Sequence, residues 1–246
     1  MKIHPVRFKN FYTSPEEWTE TFPNYREIEN NTDRIDDCTA KYVDLIQCIN
    51  KPNLTILDIG GGQGGHYLTL KKYTTKQMSY SIVELPQAFT NINDEVKYYL
   101  SLESALNEIN NTIDVIYSNG TIFLTKGITS VEHLNNFCKS GSNYIFLSRM
   151  ILSEDGNYDH FFTLTDKSYN GDGTYFSIIQ EKYLKEICMS YEYELIDSAH
   201  LNRKFVVSNA PPDIGLICYK DLLFKKINIK DSDVSCSRVP WCNSVW

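Results

Sequence analysis

The chain has 246 residues, of which 42% are hydrophobic and 22% are charged, as in an ordinary folded globular protein. This composition excludes a wholly disordered, collagen-like or coiled-coil chain, and the length favours one domain. The formal net charge of −7 predicts a surface that repels phosphate backbones, so we expect no general nucleic-acid binding.

The first residues form no apolar stretch of the signal-peptide kind, and no run approaches the roughly 18 apolar residues of a membrane span. The seven cysteines include no CxxC pair, and most lie in apolar or helical contexts that predict buried thiols. We therefore expect a cytoplasmic protein with no metal site and no membrane span, and leave its oligomeric state open.

The chain opens with a polar and aromatic zone, residues 1–52, in which apolar residues recur at helical spacing over 39–49. This pattern predicts a helical N-terminal lead-in that stops at Pro52. Between 53 and 227, short apolar runs then alternate with amphipathic stretches. The pattern predicts strands at 55–59, 80–84, 96–100, 113–117, 143–147, 193–197 and 216–224, and helices at 65–73, 102–109, 130–138 and 178–189.

Alternation of strands and helices at this pitch predicts the α/β class, with a Rossmann-like, doubly wound sheet of seven strands covered by helices on both faces. Residues 150–176 interrupt the alternation with a polar stretch that contains two glycines close together, Gly171 and Gly173, and several aromatic residues. Because this stretch follows the fifth strand, we expect a lid or a substrate loop there. We expect residues 228–246 to form a poorly ordered C-terminal tail.

The most informative feature is a run of glycines between the first strand and the helix that follows it. Gly60-x-Gly62-x-x-Gly65 fits a dinucleotide fingerprint, whereas Asp58-x-Gly60-x-Gly62-x-Gly64 fits the turn that binds S-adenosylmethionine (SAM). Both ligands need glycines because the backbone must turn sharply and approach the ligand closely. A carboxylate at Asp58 repels a pyrophosphate and suits the ammonium end of a methionine, so this residue favours SAM.

A second carboxylate, Glu84, ends the next strand and stands before Pro86. A carboxylate at this position can accept hydrogen bonds from both ribose hydroxyls of a bound nucleoside. Nicotinamide enzymes and SAM enzymes share this feature. Glu84 therefore indicates a ribose rather than a particular reaction.

The segments 57–64 (LDIGGGQG) and 83–86 (VELP) resemble those of class I SAM-dependent methyltransferases. Over roughly 15–226, the chain is also similar to a family of methyltransferase-like proteins often encoded among surface-polysaccharide genes. The features shared over this span are Trp18, 113–117, 144–149 and 175–177. The resemblance implies a seven-stranded sheet whose last strand is antiparallel, and SAM as the cofactor.

Carried over position by position, the resemblance also implies a cofactor site. Asp58 would lie near the methionine ammonium group and Glu84 at the ribose. Where such enzymes often have an acidic residue after the third strand, this chain has a serine and a leucine, and Glu103 is the nearest acid. The other implied contacts are Gly60, Gly62 and Gly64 along the cofactor backbone, Leu85, Ser101 and Leu102 at adenine, and Ser118 and Asn119 at the methionine part.

Transfer of a methyl group to a hydroxyl group needs a base, and histidine is the side chain that usually acts as a base near neutral pH. Two histidines are candidates: His133, on the helix after the fourth strand, and His160, in the insertion. Arg149 ends the fifth strand and is placed to hold a substrate carboxylate or to pair with an acid of the insertion. His66 follows the glycines and is a candidate cofactor contact.

The leading hypothesis is a SAM-dependent methyltransferase that acts on a small polar acceptor, with O-methylation of a sugar favoured by the resemblance. One alternative is an NAD(P)-dependent oxidoreductase on the same fold. The other is a non-catalytic scaffold that keeps the fold.

Overall fold

The computed structural model describes residues 37–84, 93–109, 112–123, 129–154, 159–164, 174–205 and 217–229. Most of the predicted lead-in, nearly all of the predicted C-terminal tail and Leu85 lie outside these residues. We refer to these residues as the described part of the chain.

Five helices and nine strands are present in that part. The helices are α1 (Asp37–Cys48), α2 (Gly65–Tyr73), α3 (Leu102–Glu108), α4 (Ser130–Lys139) and α5 (Glu181–Ser190). The strands are β1 (Asn53–Ile59), β2 (Gln77–Val83), β3 (Lys97–Tyr99), β4 (Val115–Asn119), β5 (Tyr144–Ser153), β6 (Asp159–Leu164), β7 (Thr174–Gln180), β8 (Tyr193–Phe205) and β9 (Ile217–Lys226).

All nine strands belong to one sheet. Strands β3, β2, β1, β4 and β5 lie side by side in that order and are parallel. Strand β9 is antiparallel to both β5 and β8, so the last strand of the chain runs against the sheet. These seven strands correspond to the seven predicted from the sequence, and the prediction of an antiparallel last strand is confirmed.

The order of the strands reverses between β1 and β4. The chain winds outward from β1 through β2 to β3, then returns to pair β4 with the other edge of β1. In doubly wound sheets, a crevice opens outside the carboxyl ends of the strands at such a reversal. The glycine run after β1 lies at this point.

Helices cover both faces of the sheet, because alternate residues of the central strands are apolar on each side. On one face, Leu54 and Ile56 pack with residues of α1 and α2, such as Tyr42 and Leu70. On the other face, Leu57 packs with residues of α3, α4 and α5. The two-sided burial explains why β1 and β4 are buried along nearly their whole length rather than at alternate residues.

The insertion after the fifth strand contains structure that the sequence patterns did not predict. Strand β5 continues to Ser153, and β6 and β7 form an antiparallel hairpin. Leu152 and Ser153 pair with β7, whereas the earlier part of β5 pairs with β4. The hairpin therefore extends the sheet beyond the carboxyl end of β4, next to the crevice.

The predicted helix at 178–189 is wrong at its start. Residues 178–180 finish β7, and α5 begins at Glu181. The helix α2, by contrast, has the predicted bounds.

Candidate functional site

The glycine turn between β1 and α2 has a backbone that few other residues adopt. Gly60, Gly62 and Gly64 have φ angles of +75°, +56° and +89°. A Cβ atom on Gly60 would lie 2.3 Å from the side chain of Thr121, which follows β4. The turn is thus fixed both by its left-handed backbone and by its contact with the end of β4.

Glu84 binds this turn directly. Its Oε2 atom accepts a hydrogen bond from the backbone N–H of Gly62 at 3.0 Å. Its own N–H donates to the carbonyl oxygen of Tyr99 at 3.0 Å, which ties the end of β2 to the end of β3. Glu84, the residue predicted to bind a ribose, therefore has a half-buried carboxylate that lies beside the middle of the glycine turn.

Asp58 lies under the turn and is fully buried. Its Oδ2 atom accepts hydrogen bonds from the hydroxyl of Tyr80 at 2.7 Å and from Nδ1 of His66 at 2.9 Å. Its Oδ1 atom is buried and, within the described residues, has no hydrogen-bond partner. A Cβ atom on Gly61 would lie 2.6 Å from Oδ2, so the backbone of the turn covers the carboxylate closely.

Two tyrosines reinforce this arrangement. Burial, and after it the negative charge of Asp58, raises the pKa of both Tyr42 and Tyr80 well above the ordinary tyrosine value. Both hydroxyls thus keep their protons, and that of Tyr80 donates to the carboxylate. The ring of Tyr42 stacks on that of Tyr117, with centroids 3.8 Å apart, and His66 meets Tyr117 edge-on at 5.0 Å.

Residues at the end of β4 form the wall of the crevice on the other side of β1 from Glu84. The Nδ2 atom of Asn119 lies 3.4 Å from Nε2 of His66, and the Oδ1 atom of Asn119 is buried without a partner in the described structure. The backbone carbonyl of Asn119 accepts a hydrogen bond from the hydroxyl of Thr121 at 3.1 Å. Ser118 is buried on the other face of the strand, and its hydroxyl likewise has no described partner.

Of the predicted adenine contacts, Ser101 and Leu102 belong to the described residues, and both follow β3. Ser101 is exposed and caps α3, because its hydroxyl accepts a hydrogen bond from the N–H of Ser104 at 3.1 Å. Leu102 is half-buried against the core at the first residue of that helix. Glu103 follows in the same turn.

Arg149 lies at a bulge in β5, where the pairing with β9 shifts register between Leu147 and Met150. It has a φ angle of +51°, which is uncommon for a residue with a side chain. Asp221 of β9 holds this conformation: its Oδ1 atom accepts hydrogen bonds from the N–H of Arg149 at 2.8 Å and from the hydroxyl of Ser148 at 3.0 Å.

The bulge presents Arg149 at the mouth of the crevice. Arg149 is exposed. A Cβ atom on Gly120, just beyond β4, would lie 3.8 Å from the Cβ atom of Arg149. Strained backbone of this kind concentrates at functional sites. The Oδ2 atom of Asp221 forms an ion pair with Lys41 of α1, which anchors the bulge to the helical face.

His133 does not lie at this mouth. It is 6% exposed in α4, and its ring packs against Phe137 with centroids 5.8 Å apart. Neither ring nitrogen has a hydrogen-bond partner in the described structure, and burial lowers the pKa of His133 to about 4. A base must reach its substrate, so this position argues against a catalytic role for His133.

His160 belongs to β6, where its backbone is in register with Ile178 of β7. It is thus part of the hairpin beside the crevice, but its side chain lies outside the described structure. Among the described residues, no three or more His, Cys, Asp and Glu side chains are grouped as a metal ion would require. No described helix has the length and apolar character needed to cross a membrane.

Sequence patterns did not single out Tyr80 or Thr121, and they treated His66 only as a possible cofactor contact. Tyr80 reaches Asp58 because β1 and β2 pair in parallel, with Asp58 opposite Ile82. Thr121 reaches Gly60 through the turn after β4. Such contacts arise from strand pairing between distant segments, which a local pattern does not encode.

The sequence matches no protein-family model and no curated protein. Its fold is similar to that of the N-terminal domain of EvdMO1 with S-adenosylhomocysteine (SAH) bound, with a TM-score of 0.52, 9% identity, and coverage of 78% of this chain and 82% of that one. It is also similar to the O-methyltransferase of a trans-AT polyketide synthase multienzyme of Brevibacillus brevis in complex with SAH, with a TM-score of 0.51, 13% identity, and coverage of 92% and 84%.

A third similar structure is the [4+2]-cyclase SpnF, with a TM-score of 0.51, 10% identity, and coverage of 92% of this chain and 99% of that one. At identities this low, the likeness concerns the fold. The chain has the Rossmann-like fold of SAM-dependent methyltransferases, with parallel strands and an antiparallel last strand.

Proposed function

We propose that the chain is a SAM-dependent methyltransferase that methylates a small polar acceptor, with a sugar hydroxyl as the favoured target. One observation carries the proposal. The N–H of Gly62, in the middle of the glycine turn, donates to the carboxylate of Glu84, and the neighbouring Gly61 lies against the buried carboxylate of Asp58.

This observation supports SAM over the dinucleotide that the glycine motif also fits. A dinucleotide site uses the backbone amides of its glycine turn and helix start to hold a pyrophosphate. Here the amide of Gly62 already has an anionic partner, and a second anion, Asp58, lies beneath the turn. Asp58 and the engaged amide of Gly62 oppose a pyrophosphate, and the site favours ribose hydroxyls and a cationic amino-acid arm, which SAM provides.

The proposed cofactor site follows the ends of adjacent strands. Glu84 accepts the ribose hydroxyls, and the unpartnered buried oxygen of Asn119 fits a ligand that donates a hydrogen bond at its methionine end, to which Asp58 adds its buried negative charge. The remaining proposed contacts are Gly60, Gly62 and Gly64 along the turn, Leu85, Ser101 and Leu102 at adenine, and Ser118 near the methionine part.

When bound, SAM supplies an electrophilic methyl group, and the chain needs only to align an acceptor with it. We place the acceptor between the carboxyl end of β4 and the hairpin β6–β7, so that the insertion 150–176 acts as a lid. Arg149 binds a polar or anionic group of the acceptor. Of the two histidines proposed from the sequence, His160 is retained as the base because it lies on this hairpin.

The domain organisation follows from this assignment. We propose that residues 53–227 form the SAM-binding domain, that 1–52 form a lead-in and that 228–246 form a tail. Two structures of similar fold contain SAH, which supports the cofactor. The third is named as a cyclase, so the fold alone does not fix the reaction.

The test is a transfer assay with SAM that carries a tritiated methyl group. The purified chain is incubated with a panel of free sugars, nucleotide sugars and other small hydroxylated compounds, and labelled product and SAH are measured. The proposal predicts transfer to at least one acceptor and its loss in Glu84→Ala. Binding of SAH without transfer to any acceptor would favour a scaffold, and substrate-dependent oxidation of NADPH would favour the oxidoreductase.

A further inference from the structure

We infer that His66 is a positioning residue, which fixes the side-chain amide of Asn119 so that its oxygen faces the ammonium group of SAM. The inference rests on the proposed function and adds to it the means by which the cationic end of the cofactor is selected. It follows from three steps, which concern Asp58, His66 and Asn119 in turn.

The first step is that Asp58 cannot contact a ligand itself. The residue has no exposed surface, and its Oδ2 atom already accepts hydrogen bonds from Tyr80 and His66. The backbone of Gly61 lies over the same oxygen. A direct contact between this carboxylate and an ammonium group is therefore blocked, and the influence of Asp58 must pass through a neighbour.

The second step is that Asp58 sets the tautomer of His66. A carboxylate accepts hydrogen bonds only, so Nδ1 of His66 must carry a proton at its 2.9 Å distance from Oδ2. In the neutral ring, Nε2 then has no proton and accepts a hydrogen bond. The atom that faces Nε2, at 3.4 Å, is the amide nitrogen Nδ2 of Asn119, which is a donor. The three side chains thus form a chain of matched donors and acceptors.

The third step is that this chain leaves an acceptor at its end. An amide whose nitrogen is held by His66 must turn its oxygen the other way, and Oδ1 of Asn119 is buried without a partner in the described structure. A buried acceptor without a donor is unfavourable, and an ammonium group relieves it. Without His66, the amide is free to turn over and offer its NH₂ group, which repels a cation.

The position of Asn119 suits this task. Glu84 follows β2 and Asn119 ends β4, with β1 between them, so roughly 10 Å of sheet separates the two strands. An extended amino-acid arm, running from a ribose at Glu84, crosses the end of β1 and reaches this point. The packing of Thr121 against the Gly60 turn and its hydrogen bond to the carbonyl of Asn119 keep the amide beside that path.

The experiment compares two ligands that differ in the amino-acid arm. SAH carries the ammonium group, and 5′-methylthioadenosine has the same nucleoside without that arm. Calorimetry on the full chain should show that His66→Ala weakens SAH binding at least tenfold and leaves methylthioadenosine binding within about twofold. The control is Lys72→Ala, an exposed residue in the last turn of the same helix, which should change neither affinity.

A rescue separates positioning from a general structural role. The double variant His66→Ala/Asn119→Asp has two oxygens at residue 119, so it offers an acceptor in either orientation. We expect it to restore SAH affinity to within about threefold of wild type. If the His66→Ala protein does not fold, Asn119→Leu replaces it and should weaken SAH binding but not methylthioadenosine binding.

Equal losses for both ligands, or no rescue by Asn119→Asp, would overturn the inference while leaving the proposed function in place. A wild-type chain that binds neither ligand would overturn the proposed function, and the inference with it. The two failures are therefore distinguishable.

Discussion

Oε2 of Glu84 accepts the backbone N–H of Gly62 at 3.0 Å, so the acidic end of β2 holds the middle of the glycine turn that follows β1. The contact joins the two sequence signals that first indicated a nucleoside site. It also uses an amide that a pyrophosphate would need. The cofactor assignment depends on this relationship, which makes Glu84 the first residue to test.

Replacement of Glu84 by Gln should weaken binding of SAH at least tenfold, or about 1.4 kcal/mol, because a neutral amide holds both ribose hydroxyls less well than a carboxylate. Isothermal titration calorimetry measures the change directly. The matched control is Glu108→Gln, since Glu108 is an exposed acid at the far end of α3. An unchanged affinity in Glu84→Gln would contradict the ribose contact.

Replacement of Gly60 by Ala should destabilise the turn for two reasons. Its φ angle of +75° disfavours a side chain by about 1–2 kcal/mol, and the new Cβ would meet Thr121 at 2.3 Å. Gly141→Ala is the control, because Gly141 has a φ of +70° but its nearest neighbour is the flexible end of Lys226 at 3.3 Å.

Thermal unfolding with and without SAH checks this prediction. We expect a larger loss of stability in Gly60→Ala than in Gly141→Ala, and a loss of SAH binding in Gly60→Ala only. Equal effects of the two substitutions would show that the contact with Thr121 is unimportant.

Two substitutions of Arg149 should differ in their effect on stability but share a loss of activity. Arg149→Gly and Arg149→Ala both remove the side chain, but only glycine adopts a φ of +51° without strain. Arg149→Gly should therefore be more stable than Arg149→Ala by about 1 kcal/mol in chemical unfolding. Both should lose at least tenfold in kcat/KM for the acceptor, with the KM for SAM unchanged. Full activity in either variant would remove Arg149 from the acceptor site.

Asp221 should be essential to the bulge that carries Arg149. The residue is fully buried and accepts hydrogen bonds from two groups of β5, besides its ion pair with Lys41. Asp221→Ala removes the carboxylate that these two donors and the largely buried Lys41 share, which should cost about 3–5 kcal/mol of unfolding free energy. Urea titration measures the loss, and Lys97→Gln, which removes an exposed ion pair, should cause no measurable change.

The stability of the chain should fall in mild acid because of His133. Its pKa is about 4 in the folded state, below the ordinary value of 6.5, because burial disfavours the charged ring. The unfolded chain therefore binds a proton between pH 6.5 and 4 that the folded chain does not, so stability rises with pH across this window. Across the whole window, the free energy of unfolding changes by about 3 kcal/mol.

His133→Leu removes this titration while keeping an apolar side chain in the core. Unfolding free energies measured at pH 7 and pH 5 should differ less in His133→Leu than in wild type. An identical pH dependence in the two proteins would place the acid sensitivity elsewhere.

Local patterns predicted much of this fold, and the reason is visible in α2. Its start follows from the glycine turn and its end from the loss of helical spacing, so both bounds could be predicted from neighbouring residues. The end of β7 could not, because Ile178 and Ile179 suit a helix or a strand equally. Ile179 belongs to a strand because it pairs with Leu152 of β5, a contact that spans 27 residues of sequence (179 − 152).

The same distinction applies to the site. Asp58 and Glu84 could be proposed because each lies within one residue of a strand end, next to a turn signal. The hydrogen bonds from Tyr80 and His66 to Asp58 could not, because they depend on the register between β1 and β2 and on the direction of the first turn of α2. Burial of His133 likewise follows from the packing of α4 and not from its local sequence.

Isothermal titration calorimetry of the wild-type chain with SAH, and separately with NAD⁺ and NADPH, tests the central claim most directly. The account predicts saturable heat with SAH and none with either nicotinamide cofactor. Heat with a nicotinamide cofactor and none with SAH would contradict it, because the glycine turn would then hold a pyrophosphate despite the carboxylates of Asp58 and Glu84.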